Sequence, residues 1–337
     1  MFGDFGNDFT FLLSSSFLMK FYTDVMGVNA AIVGMVMMIA RFVDAFTDVG
    51  MGQIVDHSKP TKDGKFRPWI KRMCGPVAIA SFLIYQSGLA GMPYGFKVAW
   101  LFITYILWGS IFYTFHQHPL RLHASAVSAD PKDRAELSTW RTIGSTLANM
   151  VIGVATPMVA YVVVDGKTVM SGSRMTIIAG VFSICAILCY IVCFKLTRER
   201  VEVPASSQKV SASAIFKSIF TNRALLGIIV AAIFVLLSQL TVMSLAGYVY
   251  PNVYAALPHS PLPACLGTVV MLIVLRTLCF QAGCKVRQEG AGCCSSICSA
   301  LVWLVCLIWR PASVWGFVAC YILANIGMGF FNTIIWL

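Results

Sequence analysis

Apolar residues come in blocks of about twenty, parted by short polar stretches, and this spacing predicts helices long enough to cross a membrane. Ten such segments fall at roughly 8–27, 30–54, 73–92, 97–118, 140–164, 175–195, 223–250, 262–278, 296–310 and 313–337. Basic residues gather in alternate connections. Lys59, Lys62, Lys65, Arg67, Lys71 and Arg72 follow the second segment. Lys132, Arg134 and Arg141 follow the fourth. Lys195, Arg198, Arg200, Lys209, Lys217 and Arg223 follow the sixth. Up to the seventh segment the connections between hold few, namely Lys97, Lys167 and Arg174. Positive loops face the cytoplasm, so the pattern predicts a multi-pass protein of the cell membrane with a cytoplasmic N-terminus. The first segment opens on acidic residues and lacks a basic n-region, which argues against a cleavable signal peptide.

The polar stretch from Thr197 to Asn222 is the longest, with Pro204, Ser206, Ser207, Gln208, Ser211 and Ser213. It predicts a boundary: a six-helix bundle over 1–196, a cytoplasmic linker over 197–222, and an incomplete bundle of about four helices over 223–337. The expected fold class is therefore an all-α integral membrane protein.

Composition agrees. Of 337 residues 58% are apolar and 12% charged, with mean hydropathy +0.79. Soluble chains carry about 25% charged residues. The net charge of +11 would suit nucleic acid, but its confinement to alternate loops points to membrane topology instead.

Against that apolar background, Arg41, Asp44 and Asp48 lie within the second segment. A charge at the middle of a membrane helix costs roughly 2.5–3.5 kcal/mol, so such residues mark ion or substrate paths. Spacings of three, four and seven put all three on one helical face. Two carboxylates one turn apart beside an arginine make a plausible site for a small cation or a proton. A buried structural role for Arg41 with Asp44, and a wet, idle Asp48, are the plainer readings. Asp8 alone reads equally as a solvated helix start. Met35, Met37 and Met38 read as lipid-facing or packing residues.

Several motifs then converge. They are Gly3-Asp4-Phe5-Gly6-Asn7-Asp8-Phe9, Phe21-Tyr22-Thr23-Asp24-Val25, the run from Arg41 to Asp48, Gly64-Lys65-Phe66-Arg67-Pro68-Trp69, Ser138-Thr139-Trp140-Arg141, and the stretch Asn325 to Asn332. Together they resemble the glycoside–pentoside–hexuronide cation symporters, the melibiose permease family of the major facilitator superfamily. The resemblance covers nearly the whole chain. It implies a major facilitator fold with about ten of the usual twelve helices present. It also implies secondary transport of a sugar or glycoside coupled to Na⁺ or H⁺.

Residue by residue, the resemblance implies that Asp44 and Asp48 bind the coupling cation, with Thr47 and Thr114 beside them. Asp8, Arg141 and Tyr113 contact the sugar. Arg41, Lys65 and Arg67 have structural or gating roles. It implies no cofactor besides the coupling ion, a lipid bilayer around a monomer, no nucleic acid partner and no enzymatic activity. The rivals are a lipid-type major facilitator carrier, whose cavity would be more apolar than Asp8 and Arg141 suggest, and a truncated, non-transporting remnant or sensor.

Two segments depart from the family. Phe115–His123 holds three of the five histidines, where members carry a sequence like Ile-Asn-Ile-Pro-Tyr-Gly-Ser-Met. His116, His118 and His123 invite a metal reading. A different account fits better. Spelled cat-caa-cat-ccc-tta-cgg-ctc-cat, His116–His123 becomes Ile-Asn-Ile-Pro-Tyr-Gly-Ser and then Met when read one base on. Arg276–Cys294 behaves likewise, and Cys279, Cys284, Cys293, Cys294 and Cys298 lie in or just after it. Two locally frame-shifted segments and an early stop at Leu337 are thus expected, and no metal site.

Overall fold

In the computed structural model the described residues are 1–200, except 59, 60, 62, 63, 129, 165 and 166, together with 221, 222, 226, 233, 316, 319, 320 and 323. By its contacts the chain divides into two units. Every element below lies within Met1–Pro204 of the first. The segments expected over 223–337, and the second frame-shifted stretch, fall outside the described residues.

The order is α1 (Phe2–Asp24), α2 (Ala30–His57), α3 (Arg67–Ile84), a 3₁₀ turn (Ser87–Leu89), α4 (Tyr94–Tyr105), a π-helical segment (Ile106–Tyr113), α5 (Thr114–Val127), α6 (Pro131–Ala160), strands β1 (Tyr161–Val164) and β2 (Lys167–Met170), and α7 (Gly172–Leu196). Among the described residues four helical spans, Ala30–Val55, Tyr94–His123, Glu136–Ala160 and Gly172–Leu196, are long and apolar enough to cross a membrane. Local chemistry sets several boundaries. Asn29 caps α2, its side chain accepting from the Ala31 amide at 2.8 Å. Pro68 stands in the first turn of α3, where its missing N–H is no loss.

Helices stand at all six positions expected before residue 196, with shifted ends, though only four of them are long and apolar enough to cross a membrane. The first begins at Phe2 rather than 8, so Asp4 and Asp8 both lie on helix. The third runs Arg67–Ile84, six residues early at its start, with Pro68 in its first turn. The fourth is longest, continuing from Tyr94 to Val127 through its π-helical middle. The fifth stops at Ala160, where β1 and β2 pair antiparallel, Tyr161 opposite Met170 and Val164 opposite Lys167. A purely α-helical reading missed this hairpin.

Helix α1 packs against α7 and α6, and α3 against α7 and α5. Helix α2 lies along the π-helical segment, α5 and α4. Lipid supplies little hydrophobic drive between helices, so close packing and polar bonds carry the association. A Cβ on Gly6 would stand 2.8 Å from Cys189 Cβ and 3.2 Å from the Ala186 carbonyl, so glycine lets α1 approach α7. Tyr22, Tyr85, Trp108 and Tyr190 are fully buried in the main core. Tyr22 donates to the Ile84 carbonyl at 2.9 Å and Tyr85 to that of Leu13 at 3.1 Å, satisfying hydroxyls that burial would otherwise strand. A second cluster of Met51, Val55, Phe66 and Ala126 closes one end. Outward stripes at helical spacing, Met35, Met38, Phe42, Phe46 and Val49 on α2 and Ile177, Val181, Ile184, Leu188 and Ile191 on α7, stay exposed, as surfaces bathed in hydrocarbon would be.

Candidate functional site

Charge inside α2 is met by groups from the neighbouring helix. Arg41 Nη1 lies 3.0 Å from Asp44 Oδ2, and Arg41 Nη2 donates to the Tyr105 hydroxyl at 2.8 Å. The other Asp44 oxygen accepts a short hydrogen bond from Ser110, whose hydroxyl also lies 3.4 Å from the Ala40 carbonyl. Asp44 is 17% exposed and Arg41 59%, so the carboxylate is inside and the guanidinium reaches outward. One turn on, Asp48 Oδ1 accepts from Thr114 at 3.1 Å and lies 3.3 Å from His118 Nε2. Thr47 turns away from both carboxylates in bonding terms: its hydroxyl donates to the Val43 and Asp44 carbonyls of its own helix, at 3.2 and 3.1 Å.

The π-helical segment explains how α2 meets so many partners. A wider turn adds a residue to the helical circuit and redirects side chains, and such turns recur at functional sites. No proline causes it; Gly109 lies in its middle. It brings Ser110 to Asp44 and delivers Thr114 to Asp48. Tyr113, next in sequence to Thr114, serves the opposite neighbour. Its hydroxyl accepts from Asn7 Nδ2 on α1 at 2.8 Å, and its ring stacks on Phe11 at 5.6 Å.

On α1 and α6 a second polar group forms. Arg141 Nε donates to Asp4 Oδ2 and Nη2 to Asp4 Oδ1, both at 2.8 Å, a two-pronged pair between the helices. Asp8 is half-buried one turn along α1. Ser145 of α6 is its hydroxyl neighbour, and Arg121 and Arg141 act on its charge. Arg141 thus meets Asp4 directly and Asp8 only at longer range. Asp4 belongs to this polar group although the expected first segment, starting at residue 8, leaves it out.

The three histidines go separate ways. His116 is fully buried with its ring 4.0 Å from that of Tyr190, and neither ring nitrogen has a hydrogen-bond partner. His118 meets Asp48. His123 Nε2 lies 2.9 Å from the Thr197 hydroxyl and its Nδ1 3.6 Å from Glu199. Among the described residues no group of three or more His, Cys, Asp or Glu is placed to hold a metal ion.

Lys65 and Arg67 gather around Glu199, another residue that sequence reasoning missed. Its carboxylate accepts the backbone amides of Lys65 at 2.7 Å, Phe66 at 2.8 Å and Arg67 at 2.9 Å, capping the start of α3 from beyond the end of α7. Arg67 Nη2 donates to the Phe194 carbonyl at 2.7 Å, and its guanidinium lies over the Phe194 ring at 4.4 Å. Gly64, at φ 103°, leaves room for that carboxylate: a Cβ there would sit 2.4 Å from Glu199. The Thr-Arg-Glu-Arg run at 197–200 reads as plain solvated charge, so nothing local signals the cap.

Comparison with known proteins adds to this geometry. A family described as MFS/sugar transport protein matches residues 1–337. The isoprimeverose transporter of Lactiplantibacillus pentosus is 33% identical over 65% of the chain and 45% of its own length. The glucuronide carrier protein homolog of Escherichia coli is 31% identical over 71% of the chain and 51% of its own. The uncharacterized symporter YjmB of Bacillus subtilis is 31% identical over 69% and 50%. The chain spans about half the length of the curated relatives it matches.

Proposed function

Because the chain belongs to the MFS/sugar transport protein family, a group of multi-pass membrane proteins, we propose that it serves symport of a sugar or glycoside with Na⁺ or H⁺ across the cell membrane. The observation that carries this reading is the pair Asp44 and Asp48. Both carboxylates sit in a helix apolar enough to span a bilayer, and each is met by a hydroxyl from the next helix. Hard oxygen ligands of this kind suit Na⁺, and carboxylates equally hold a proton. Arg41 offsets the charge of Asp44, lowering the cost of keeping it there while the site is empty. Relatives named as isoprimeverose transporter and glucuronide carrier lend the sugar class.

In this reading Asp44, Asp48 and Thr114 hold the cation, with Thr47 recruited by rotation of its hydroxyl. Asp8, Arg141 and Tyr113 face the sugar from the α1 and α6 side. Tyr113 and Thr114 are adjacent, so the two sites meet across one peptide. Glu199, Lys65 and Arg67 tie the helix ends on the side where basic loops put the cytoplasm, with the N-terminus on that same side. A monomer of two bundles parted by the loop 197–222 completes the proposal. Alternation of access between such bundles is the ordinary route of transporters built this way. Restoring Ile-Asn-Ile-Pro-Tyr-Gly-Ser-Met at 116–123, and the shifted reading at 276–294, belongs to the same proposal.

The test is uptake of labelled glycosides by sealed vesicles holding the restored, full-length carrier, with Na⁺ and proton gradients imposed separately. Uphill accumulation driven by one gradient is the expected result. Uptake that ignores both gradients would sink the symport reading. Uptake of lysolipid instead of glycoside would transfer the protein to the lipid-type carriers.

A further inference from the structure

Arg141 is the one cation within ion-pair distance of a carboxylate on α1 among the described residues, and Asp4 occupies it with both oxygens. Asp8 lies four residues further along α1, on the same face. No cation stands within ion-pair distance of Asp8 among the described residues. Its neighbours are the hydroxyl of Ser145, the like charge of Asp4, and Arg121 and Arg141 at longer range. Arg121 is exposed, so water screens it. The Asn7–Tyr113 pair beside it is uncharged. Asp8 is thus a carboxylate that no cation meets by direct contact among the described residues.

Taking the sugar reading above as its basis, we propose that this site accepts uncharged glycosides and rejects uronates and sulfonated sugars, with Asp8 as the residue that sets the selectivity. A carboxylate accepts from two sugar hydroxyls at once, and such charge-assisted bonds are the strong ones. The same carboxylate repels a ligand that carries its own. Discrimination of this kind rests on the repulsive element as much as on the attractive one. Asp4 contributes by holding Arg141, which would otherwise be the natural fork for an incoming carboxylate. Asp8 touches the substrate in this scheme, and Asp4 is a positioning residue.

The experiment is equilibrium binding of matched pairs to the purified, restored full-length carrier in detergent: p-nitrophenyl β-glucoside against the β-glucuronide, and the β-galactoside against the β-galacturonide. Within a pair only a hydroxymethyl becomes a carboxylate. The neutral member should bind at least about tenfold more tightly. Asp8→Asn keeps the shape and removes the charge, and should bring the two members to near-equal affinity. Asp4→Asn should raise uronate affinity by releasing Arg141, and the paired Asp4→Asn, Arg141→Gln variant should restore the neutral preference. Equal binding of both members by the carrier without substitutions, or a ratio unmoved by Asp8→Asn and by Asp4→Asn, overturns the proposal while leaving the sugar reading intact. Failure of the restored, full-length carrier to bind any of the four removes the sugar reading, and this selectivity with it.

Discussion

Asp4 and Arg141 face each other oxygen to nitrogen across α1 and α6, with both contacts at 2.8 Å. They are 19% and 22% exposed, so water screens them only partly. Removing one partner of a well-buried pair costs 3–5 kcal/mol, and this half-screened one should lose about 1–3 kcal/mol on Asp4→Ala. Arg141→Met in the same background should recover part of that loss by removing the stranded charge. Thermal unfolding in detergent reads both effects. An unchanged melting temperature for Asp4→Ala would show that the pair contributes nothing to the bundle.

Asp44→Asn and Asp48→Asn should each abolish cation-driven accumulation in the full-length carrier while leaving membrane insertion intact. The motive is two costly carboxylates, each bonded to a hydroxyl across the helix interface. Insertion is checked by the amount of protein in the membrane fraction, and coupling by uptake against a gradient. Normal uphill uptake by either variant would strip that residue of its role.

Glu199→Ala should free three amides at the start of α3. Loss of a capping group costs about 0.5–2 kcal/mol, and a carboxylate that also meets the helix dipole belongs at the upper end. Hydrogen exchange should quicken at Lys65, Phe66 and Arg67 and leave the middle of α3 unchanged. Gly64→Ala should produce a similar change, through its positive φ and the space its Cβ would take from Glu199. Protection that survives both substitutions would mean that the cap is not what orders this loop.

His116 is buried against Tyr190 with both ring nitrogens unpartnered. A buried polar group without partners costs about 1–3 kcal/mol, so His116→Ile should stabilise the chain by a comparable amount. Full replacement of 116–123 by Ile-Asn-Ile-Pro-Tyr-Gly-Ser-Met should raise the yield of folded protein further and take His118 away from Asp48. A lower melting temperature or tight Zn²⁺ binding by the unaltered chain would instead make the histidines a site in their own right.

Helix positions up to residue 196 could be read from apolar periodicity, and the Arg41–Asp44 pairing from spacing alone, because charge in an apolar helix has few places to go. The ends were harder. Asp4 lies outside the expected first segment because the apolar run starts at Phe9. Glu199 serves a helix more than 130 positions away, which no local pattern encodes. The π-helical turn at Ile106–Tyr113 lies in a uniformly apolar run, where period 3.6 and period 4.4 look alike. The hairpin did have a signal: Asp165-Gly166 between two short β-branched runs is the two-residue turn signature. The length of the surrounding apolar stretch obscured it.

Tyr113 and Thr114 share one peptide unit and bond to two different helices, Asn7 on α1 and Asp48 on α2. If the proposed function holds, a ligand that drew Tyr113 toward α1 would alter the grip of Thr114 on Asp48, and an ion at Asp48 would alter the poise of Tyr113. Such linkage is reciprocal by thermodynamic necessity. Its magnitude would appear as non-additivity between Tyr113→Phe and Thr114→Val, which take the hydroxyls from neighbouring residues where the proposed ion and sugar sites meet.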